Sequence, residues 1–307
     1  METDTCVATC VPAVAARVRG VLRAAAVTDA YRIALATTLA LPGHILAERA
    51  QARWAPLVCA CCVAAGGRLE DAVPAATAAE LFMVALDVLD DAEDDEDTVL
   101  KVSLGPARAL NVSTGLLLLA QQGLLAAPGG TALMSILLDA GVRACAGQHA
   151  DLAPVSEHGY DLDGALEAAA GKSASLVAAL CRLGATCAGA DAGTQDLYAR
   201  FGASVGMVMQ LRNDIAAVRP DMIGKTDKAL GRPTLPLAAA AGAGMMTVVD
   251  GSGEDVHTTS WVGEPVLLTW TVAETYRLDA VELIPSLSGD PDGRAALTRL
   301  VEGRHEA

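Results

Sequence analysis

The fold of this chain is decided by residues 80–97, which read ELFMVALDVLDDAEDDED. The first half of the stretch is apolar on every face of a helix, which is typical of a helix buried in a core. Four aspartates then follow at spacings of three and four residues: Asp87, Asp90, Asp91 and Asp94. That spacing places them on one side of an α-helix. We therefore predict a buried helix whose acidic face lines an internal cavity.

The acidic face is predicted to bind a metal ion. Like charges at helical spacing repel each other, so a cation is expected to collect among them. Carboxylate oxygens suit Mg²⁺, which usually takes one or two carboxylates together with phosphate oxygens. The alternative is a solvated acidic helix end, and the apolar residues before the aspartates argue against it.

The composition predicts an all-α protein. Hydrophobic residues make up 52% of the 307 residues and aromatic residues only 3%, which favours closely packed helices. The sequence shows no strand-like alternation and no linker long enough to divide the chain. We expect a loose tail over residues 1–10 and one large helical domain over residues 11–307.

The charge balance bears on partners and location. The formal net charge of −15 opposes binding to nucleic acid or to an anionic membrane. No uninterrupted apolar run reaches the roughly 18 residues of a spanning helix, and the start METDTC lacks a basic signal-peptide region. The eight cysteines lie mostly in apolar helices, where they are expected as reduced core residues. We therefore expect a cytoplasmic protein without stable membrane association.

A second polar cluster lies within residues 207–236. Its groups with oxygen atoms for a metal are Gln210, Asn213, Asp214 and Asp221, and its cations are Lys225, Lys228 and Arg232. A segment that offers cations beside carboxylates suits a metal diphosphate, because the metal faces the carboxylates and the phosphate oxygens face lysine and arginine.

Two further polar residues precede this cluster. Lys172, within GKSASL, is a candidate cation, although a lone lysine on a helix often reaches out to solvent. Gln148, within GQHADL, is a candidate buried amide.

Taken in order, these motifs resemble those of the trans-prenyl diphosphate synthases, the polyprenyl synthetase family, whose helical bundle is shared by class I terpene synthases. The resembling segments are DDAED (90–94), ALNVSTGLLLLA (109–120), GQHADL (147–152), GKSASL (171–176), QLRND (210–214) and GKTDKALGRPTLP (224–236). One DDxxD motif is a weak signal, whereas an ordered series is specific. The resemblance implies a single large helical bundle of the isoprenoid synthase type with a central active-site cavity.

The resemblance also implies roles for individual residues. Asp90, Asp91 and Asp94 would bind Mg²⁺ from one wall, and Asn213 and Asp214 would contribute from the other, with Asp221 as a further candidate ligand. Lys172 and Lys225 would hold the diphosphate of an allylic substrate. Candidates for further substrate contacts are Arg232, Gln148 and Arg53, and Gln210 would turn its dipole toward an allylic cation. The family further implies a homodimer.

Three departures from the family pattern bear on the reaction. Chain-elongating members carry a basic GGKRxRP element for isopentenyl diphosphate, where this chain has AQARWAP and keeps only Arg53. After the first motif, TVLKVSLG offers Lys101 in place of an arginine pair. The second motif has Asn213 and Ala217 where an aspartate-rich motif would have aspartates.

These departures leave three functional hypotheses. The first, favoured by the missing basic residues, is a terpene synthase that ionises an allylic diphosphate and lets the cation cyclise or lose a proton. The second is a prenyltransferase that adds the allyl group to isopentenyl diphosphate or to a non-canonical acceptor, such as an indole or a peptide tryptophan. The third is a catalytically inactive subunit of a larger synthase, which the retained aspartates and lysines disfavour.

Substrate length is predicted from the residues just before the first motif. Ala85 and Leu86 stand where bulky aromatic side chains close the pocket of family members that make short products. Phe82 is a candidate for a deeper floor. This pattern favours substrates of C15 to C20.

Overall fold

The computed structural model describes residues 3–48, 52–94, 96–153, 161–218, 232, 234–243, 263–287 and 291–302. Over these residues the chain forms helices and turns without any strand, which confirms the all-α prediction. The helices are α1 (Thr3–Ala24), α2 (Asp29–Thr38), α3 (Trp54–Ala64), α4 (Leu69–Glu93), α5 (Val99–Leu104), α6 (Pro106–Leu125), α7 (Gly130–Leu152), α8 (Leu162–Ala169), α9 (Ser175–Cys187), α10 (Ala192–Ala217), α11 (Leu235–Gly242), α12 (Glu264–Leu287) and α13 (Pro291–Glu302). A π-helical turn, Ala170–Ala174, joins α8 to α9.

The chain packs as two compact units, each discontinuous in sequence. The first unit comprises Met1–Leu138, Ala179–Ala199 and Leu283–Ala307, and the second comprises Asp139–Ala178 and Arg200–Glu282. The expectation of one domain over residues 11–307 stays a prediction.

The start of the chain differs from the prediction of a loose tail. Helix α1 begins at Thr3 and continues through Pro12. A proline inside a helix removes one backbone hydrogen bond. The helix is nevertheless anchored on both sides of this position, because Cys10, Val14 and Val18 are completely buried.

Helix α4 is the core helix of the first unit and carries the stretch that decides the fold. An unbroken series of its residues from Ala75 to Ala85 is buried. By length and composition α4 could cross a membrane, but 72% of its most apolar window is buried inside the protein, as in the core helix of a globular protein. It packs mainly on α6 and α3. The Ser113 hydroxyl on α6 donates a 2.8 Å hydrogen bond to the Ala85 carbonyl, so the two helices approach closely there.

The cysteines confirm their predicted role as core residues at most described positions. The completely buried thiols are Cys10, Cys59, Cys61, Cys62 and Cys181, and none of these five forms a disulfide bond. Burial raises the pKa of the Cys61 thiol well above its usual range, and the neighbouring Cys181 raises it further. A buried thiol that stays protonated is a poor nucleophile, so Cys61 serves packing.

Candidate active site

The acidic end of α4 lies in the first unit and presents the aspartates at its last turn. Asp90, Asp91 and Asp94 are all partly buried, and Asp94 caps the helix by placing its backbone N–H on the Asp90 carbonyl. The pKa of Asp91 is raised to about 6, mainly by burial and in addition by the negative charges of Glu96, Asp90 and Asp94. The folded chain therefore holds negative charge here at a cost, as a cation site does before its cation binds.

Asp87, one turn earlier on the same face, has the larger shift. Its pKa is raised to about 7, mainly by burial and in addition by the charges of Asp90, Asp91 and Glu80, while Arg53 opposes the increase. The side chain keeps accessible surface. The neighbouring carboxylates also favour the neutral form of this exposed residue, so their repulsion acts in the same direction as burial.

The donor atoms fit Mg²⁺ in kind. Carboxylate oxygens are hard ligands, and Mg²⁺ needs only one or two of them when phosphate oxygens complete its shell. In the part of the chain that the structure describes, no three His, Cys, Asp or Glu side chains converge to hold a metal by themselves. The donor atoms of these aspartates are of the kind that Mg²⁺ takes together with phosphate oxygens.

The Glu80 side chain lies against the start of α3, where Arg53 is the N-cap residue. Arg53 is the exposed N-cap residue of that helix. The buried Glu80 carboxylate accepts a 2.9 Å hydrogen bond from the Ala55 backbone N–H in the first turn. Burial raises the pKa of Glu80 to about 7, although hydrogen bonds from the Ala55 and Trp54 backbones partly oppose the increase. The sequence analysis gave no role to Glu80. A charged residue at the start of an apolar run is the feature that could have indicated one.

Lys101, the other cation noted in the sequence of this unit, forms an ion pair with Asp97. The Lys101 ammonium lies 3.3 Å from a carboxylate oxygen of Asp97, one turn earlier, and the Asp97 side chain is 86% exposed. Such exposed pairs are weak and exchange readily with other ions.

Of the three residues expected to set substrate length, only Leu86 has substantial accessible surface. Ala85 is completely buried and packs against α6 next to Ser113, and Phe82 is 4% exposed. Ala85 thus belongs to the packed core, because α6 covers it, whereas the role of Phe82 as a deeper floor stays a prediction.

The basic cluster lies in the second unit and centres on Asp151. The Lys172 ammonium lies 3.1 Å from Asp151 Oδ2, and an Arg232 guanidinium nitrogen lies 3.8 Å from the same oxygen. The side chains are 19%, 13% and 7% exposed for Lys172, Asp151 and Arg232. Lys172 therefore does not extend freely into solvent. Sequence reasoning assigned no role to Asp151, although its position three residues after Gln148 places both on one face of α7.

Lys172 stands in the π-helical turn, whose backbone is fixed by glycine contacts. A Cβ atom on Gly147 would lie 2.2 Å from the Lys172 nitrogen, and one on Gly206 would lie 2.6 Å from the Ala174 Cα. Only glycine permits backbones to approach so closely. Single π-helical turns occur frequently at functional sites.

Gln210 and Asp214 form a hydrogen-bonded chain with Ser173 in this unit. The Ser173 hydroxyl donates to Gln210 Oε1, and Gln210 Nε2 donates to Asp214 Oδ1 at 2.9 Å. Asp214 is buried, whereas Asn213 is exposed. The amide of Gln210 is thereby oriented. The predicted ligand Asp221 and the predicted cations Lys225 and Lys228 lie outside the described residues.

The fold is that of the helical isoprenoid synthases. The structure of geranylgeranyl pyrophosphate synthetase from the archaeon Geoglobus acetivorans matches with a TM-score of 0.82 at 19% identity, over 100% of this chain and 99% of that one. Residues 43–246 match the polyprenyl synthetase family in sequence, and the chain belongs to that family.

Two curated relatives come from Mycobacterium tuberculosis. A (2E,6E)-farnesyl diphosphate synthase is 29% identical over 65% of this chain and 57% of its own length. A geranylgeranyl diphosphate synthase is 31% identical over 61% of this chain and 57% of its own length. The chain thus spans little more than half the length of these relatives. Both names favour the prenyltransferase hypothesis over the terpene synthase that the sequence analysis preferred.

Proposed function

We propose that the protein is a Mg²⁺-dependent prenyltransferase that ionises an allylic prenyl diphosphate and joins the allyl group to isopentenyl diphosphate. The observation that carries the proposal is the pair of cations around Asp151, in a chain of the polyprenyl synthetase family. A lysine and an arginine that share one carboxylate oxygen form a local positive site in a protein of net charge −15. Such a site suits a multiply charged anion.

Each group has a distinct part in this reaction. Asp90, Asp91 and Asp94, with Asn213, Asp214 and Asp221, are the proposed metal-holding groups. Lys172, Arg232 and Lys225 bind the departing diphosphate. Mg²⁺, when bound, neutralises the charge that develops on the diphosphate as the C–O bond breaks. Gln210, whose amide is held by Ser173 and Asp214, directs its dipole at the allylic cation, and Gln148 contacts the substrate from α7.

The proposed acceptor of the allyl group is isopentenyl diphosphate, whereas the sequence alone favoured a terpene synthase without an acceptor. The curated relatives are named farnesyl and geranylgeranyl diphosphate synthases, which supports transfer to isopentenyl diphosphate. A terpene synthase remains the second candidate because only Arg53 and Lys101 stand where elongating family members carry their basic residues for a second diphosphate. Arg53 is exposed at the start of α3, and Lys101 is already paired with Asp97.

Product analysis tests the proposal directly. The enzyme is incubated with Mg²⁺ and geranyl, farnesyl or geranylgeranyl diphosphate, each with and without isopentenyl diphosphate. The proposal expects a longer linear diphosphate only when isopentenyl diphosphate is present. A hydrocarbon formed without it would establish the terpene synthase, a product formed only with an indole or peptide would establish the non-canonical transferase, and no product would favour an inactive subunit.

Two variants sharpen this experiment. Lys172→Ala should lower turnover in every enzymatic version, because Lys172 contacts the departing diphosphate. Arg53→Ala should raise the KM for isopentenyl diphosphate if that cosubstrate binds beside α3. An unchanged KM would remove Arg53 from the proposed site.

A homodimer and a cytoplasmic location are also proposed. Helix α6 exposes Leu110, Leu118 and Leu125 at 40%, 57% and 58% of their surface, in positions that form a stripe along one face. A second copy of the chain would cover such a stripe. Light scattering should give twice the mass of the chain, and Leu118→Glu should give the monomer.

A further inference from the structure

The two buried cations of the second unit converge on one atom. Lys172 and Arg232 come from distant segments, the π-helical turn and the residues just before α11, and both reach Asp151 Oδ2, at 3.1 Å and 3.8 Å. Asp151 stands near the C-terminal end of α7. The side chains of all three residues are at least four-fifths buried.

Without the carboxylate these cations would not stay together. Two like charges this close repel, and the repulsion is strongest where protein excludes water. One carboxylate between two cations cancels that repulsion and leaves one net positive charge. Lysine carries three N–H donors and arginine five, and these are the groups that bind the oxygens of a phosphate.

Lys172 is thereby fixed at both ends. Its backbone is placed by the close approach of Gly147 to the π-helical turn, and its ammonium group is placed by Asp151. A long lysine side chain otherwise samples many rotamers, and ordering it on substrate binding would weaken that binding.

We propose that Asp151 is a positioning residue that holds Lys172 and Arg232 as a preformed pair for the diphosphate group of the substrate. The inference rests on the proposed function for the identity of the substrate, but the anion it invokes is tested separately. Asp151 acts through the two cations and touches no reacting atom.

Inorganic pyrophosphate with Mg²⁺ is the first probe, because its binding does not depend on which product the enzyme makes. Asp151→Asn keeps the shape of the side chain and removes its charge. If Asp151 positions the cations, Asp151→Asn should weaken pyrophosphate binding by about tenfold, the lower end of what loss of a supporting residue costs a site. A carboxylate that merely lies near the anion would repel it, so removing the charge would then tighten binding. Unchanged or tighter binding in calorimetry overturns the proposal.

Asp139→Asn is the matched control, since Asp139 is exposed on the same helix. It should leave pyrophosphate affinity unchanged within about twofold, as expected of a surface charge. Asp151→Glu keeps the charge but moves it by one methylene, so its affinity should fall between those of the wild type and Asp151→Asn. Asp151→Glu also tests the proposal if Asp151→Asn does not fold. Pyrophosphate affinity equal to that of the wild type in Asp151→Glu would contradict the proposal that Asp151 must hold its carboxylate in a fixed position.

A double-mutant cycle separates positioning from general stability. In steady-state turnover, Asp151→Asn should lower kcat by about tenfold in the wild type but by clearly less in the Lys172→Ala background, because one of the two cations through which Asp151 acts is already gone. Losses that multiply would show that Asp151 acts independently of Lys172. If the wild type turns over no allylic diphosphate, the proposed function fails, while the pyrophosphate comparison still decides the role of Asp151.

Discussion

The Glu80 carboxylate accepts a 2.9 Å hydrogen bond from the Ala55 backbone N–H and thereby ties the buried middle of α4 to the first turn of α3. Carboxylates are stabilised at helix N-termini, where backbone N–H groups lack partners within the helix. Here burial is the stronger effect, because it raises the pKa of Glu80 to about 7.

The first prediction concerns the pH dependence of stability. The folded state binds the Glu80 proton more tightly than the unfolded state, whose pKa is near the ordinary 4.5, so this group stabilises the fold at low pH and loses that contribution as pH rises through about 7. The difference in free energy of unfolding, Glu80→Gln minus wild type, should rise by up to about 3 kcal/mol between about pH 4 and pH 8. Urea unfolding across this range measures it.

Glu167→Gln is the control for that experiment, since Glu167 is exposed on α8. Its stability should follow the wild type at each pH. If Glu80→Gln also follows the wild type in parallel, burial does not govern the protonation of Glu80.

The second prediction compares a proposed metal ligand, Asp91, with an exposed aspartate, Asp97, in the same stretch of sequence. Asp91→Ala should lower turnover by at least about tenfold through loss of a metal ligand. It should not lower the melting temperature without Mg²⁺, because the raised pKa of Asp91 shows that its charge is unfavourable in the fold. Asp97→Ala, which removes an 86% exposed carboxylate, should keep turnover within about twofold. Equal losses in the two variants would contradict the assignment of Asp91.

The third prediction tests the close approach at the π-helical turn. Gly147→Ala would place Cβ 2.2 Å from the Lys172 nitrogen, so the backbones must separate, and both stability and turnover should fall. Gly123→Ala on α6 meets nothing within 4 Å and should leave the fold unchanged or stabilise it by about 0.5–1 kcal/mol. Thermal unfolding of the pair measures the contrast; a neutral Gly147→Ala would mean that the turn is not held there.

The fourth prediction compares two neighbours on α4. Leu86 keeps accessible surface, so Leu86→Phe should shorten the longest product while the fold is retained. Ala85 is completely buried, so Ala85→Phe should overpack the contact with α6 and destabilise the fold by about 1–3 kcal/mol. Chromatography of the products and chemical unfolding report the two effects. Shorter products from a stable Ala85→Phe would place Ala85 in the pocket wall after all.

The sequence predicted the helices and the acidic turn of α4 because both follow from local patterns. Apolar residues and aspartates at spacings of three and four indicate a helix and its faces without knowledge of its neighbours. The pairing of Asp151 with Lys172 and Arg232 could not be predicted in this way. It joins residues far apart in sequence, and a lone lysine in a helix more often extends into solvent.

Packing between distant segments also decides the environment of Ala85 and the helical structure around Pro12, and local sequence patterns do not reveal it. Whether Ala85 faces a pocket or a helix depends on where α6 packs. Ser113, which donates a hydrogen bond to the Ala85 carbonyl, lies on α6. A loose tail is expected over residues 1–10 from the sequence alone, but α1 begins at Thr3 and stays helical through Pro12, with buried residues on either side of the proline.

Because of the π-helical turn, the number of residues in this segment affects the geometry of the site. Each residue of an α-helix turns the chain by about 100°, so a turn with one residue more shifts the register of everything that follows by about that angle. Deleting a single alanine from Ala170–Ala174 would restore a regular helix and rotate Lys172 away from Asp151, although no charged side chain would be lost. A one-residue deletion here should therefore disturb the enzyme more than many substitutions of the same alanines.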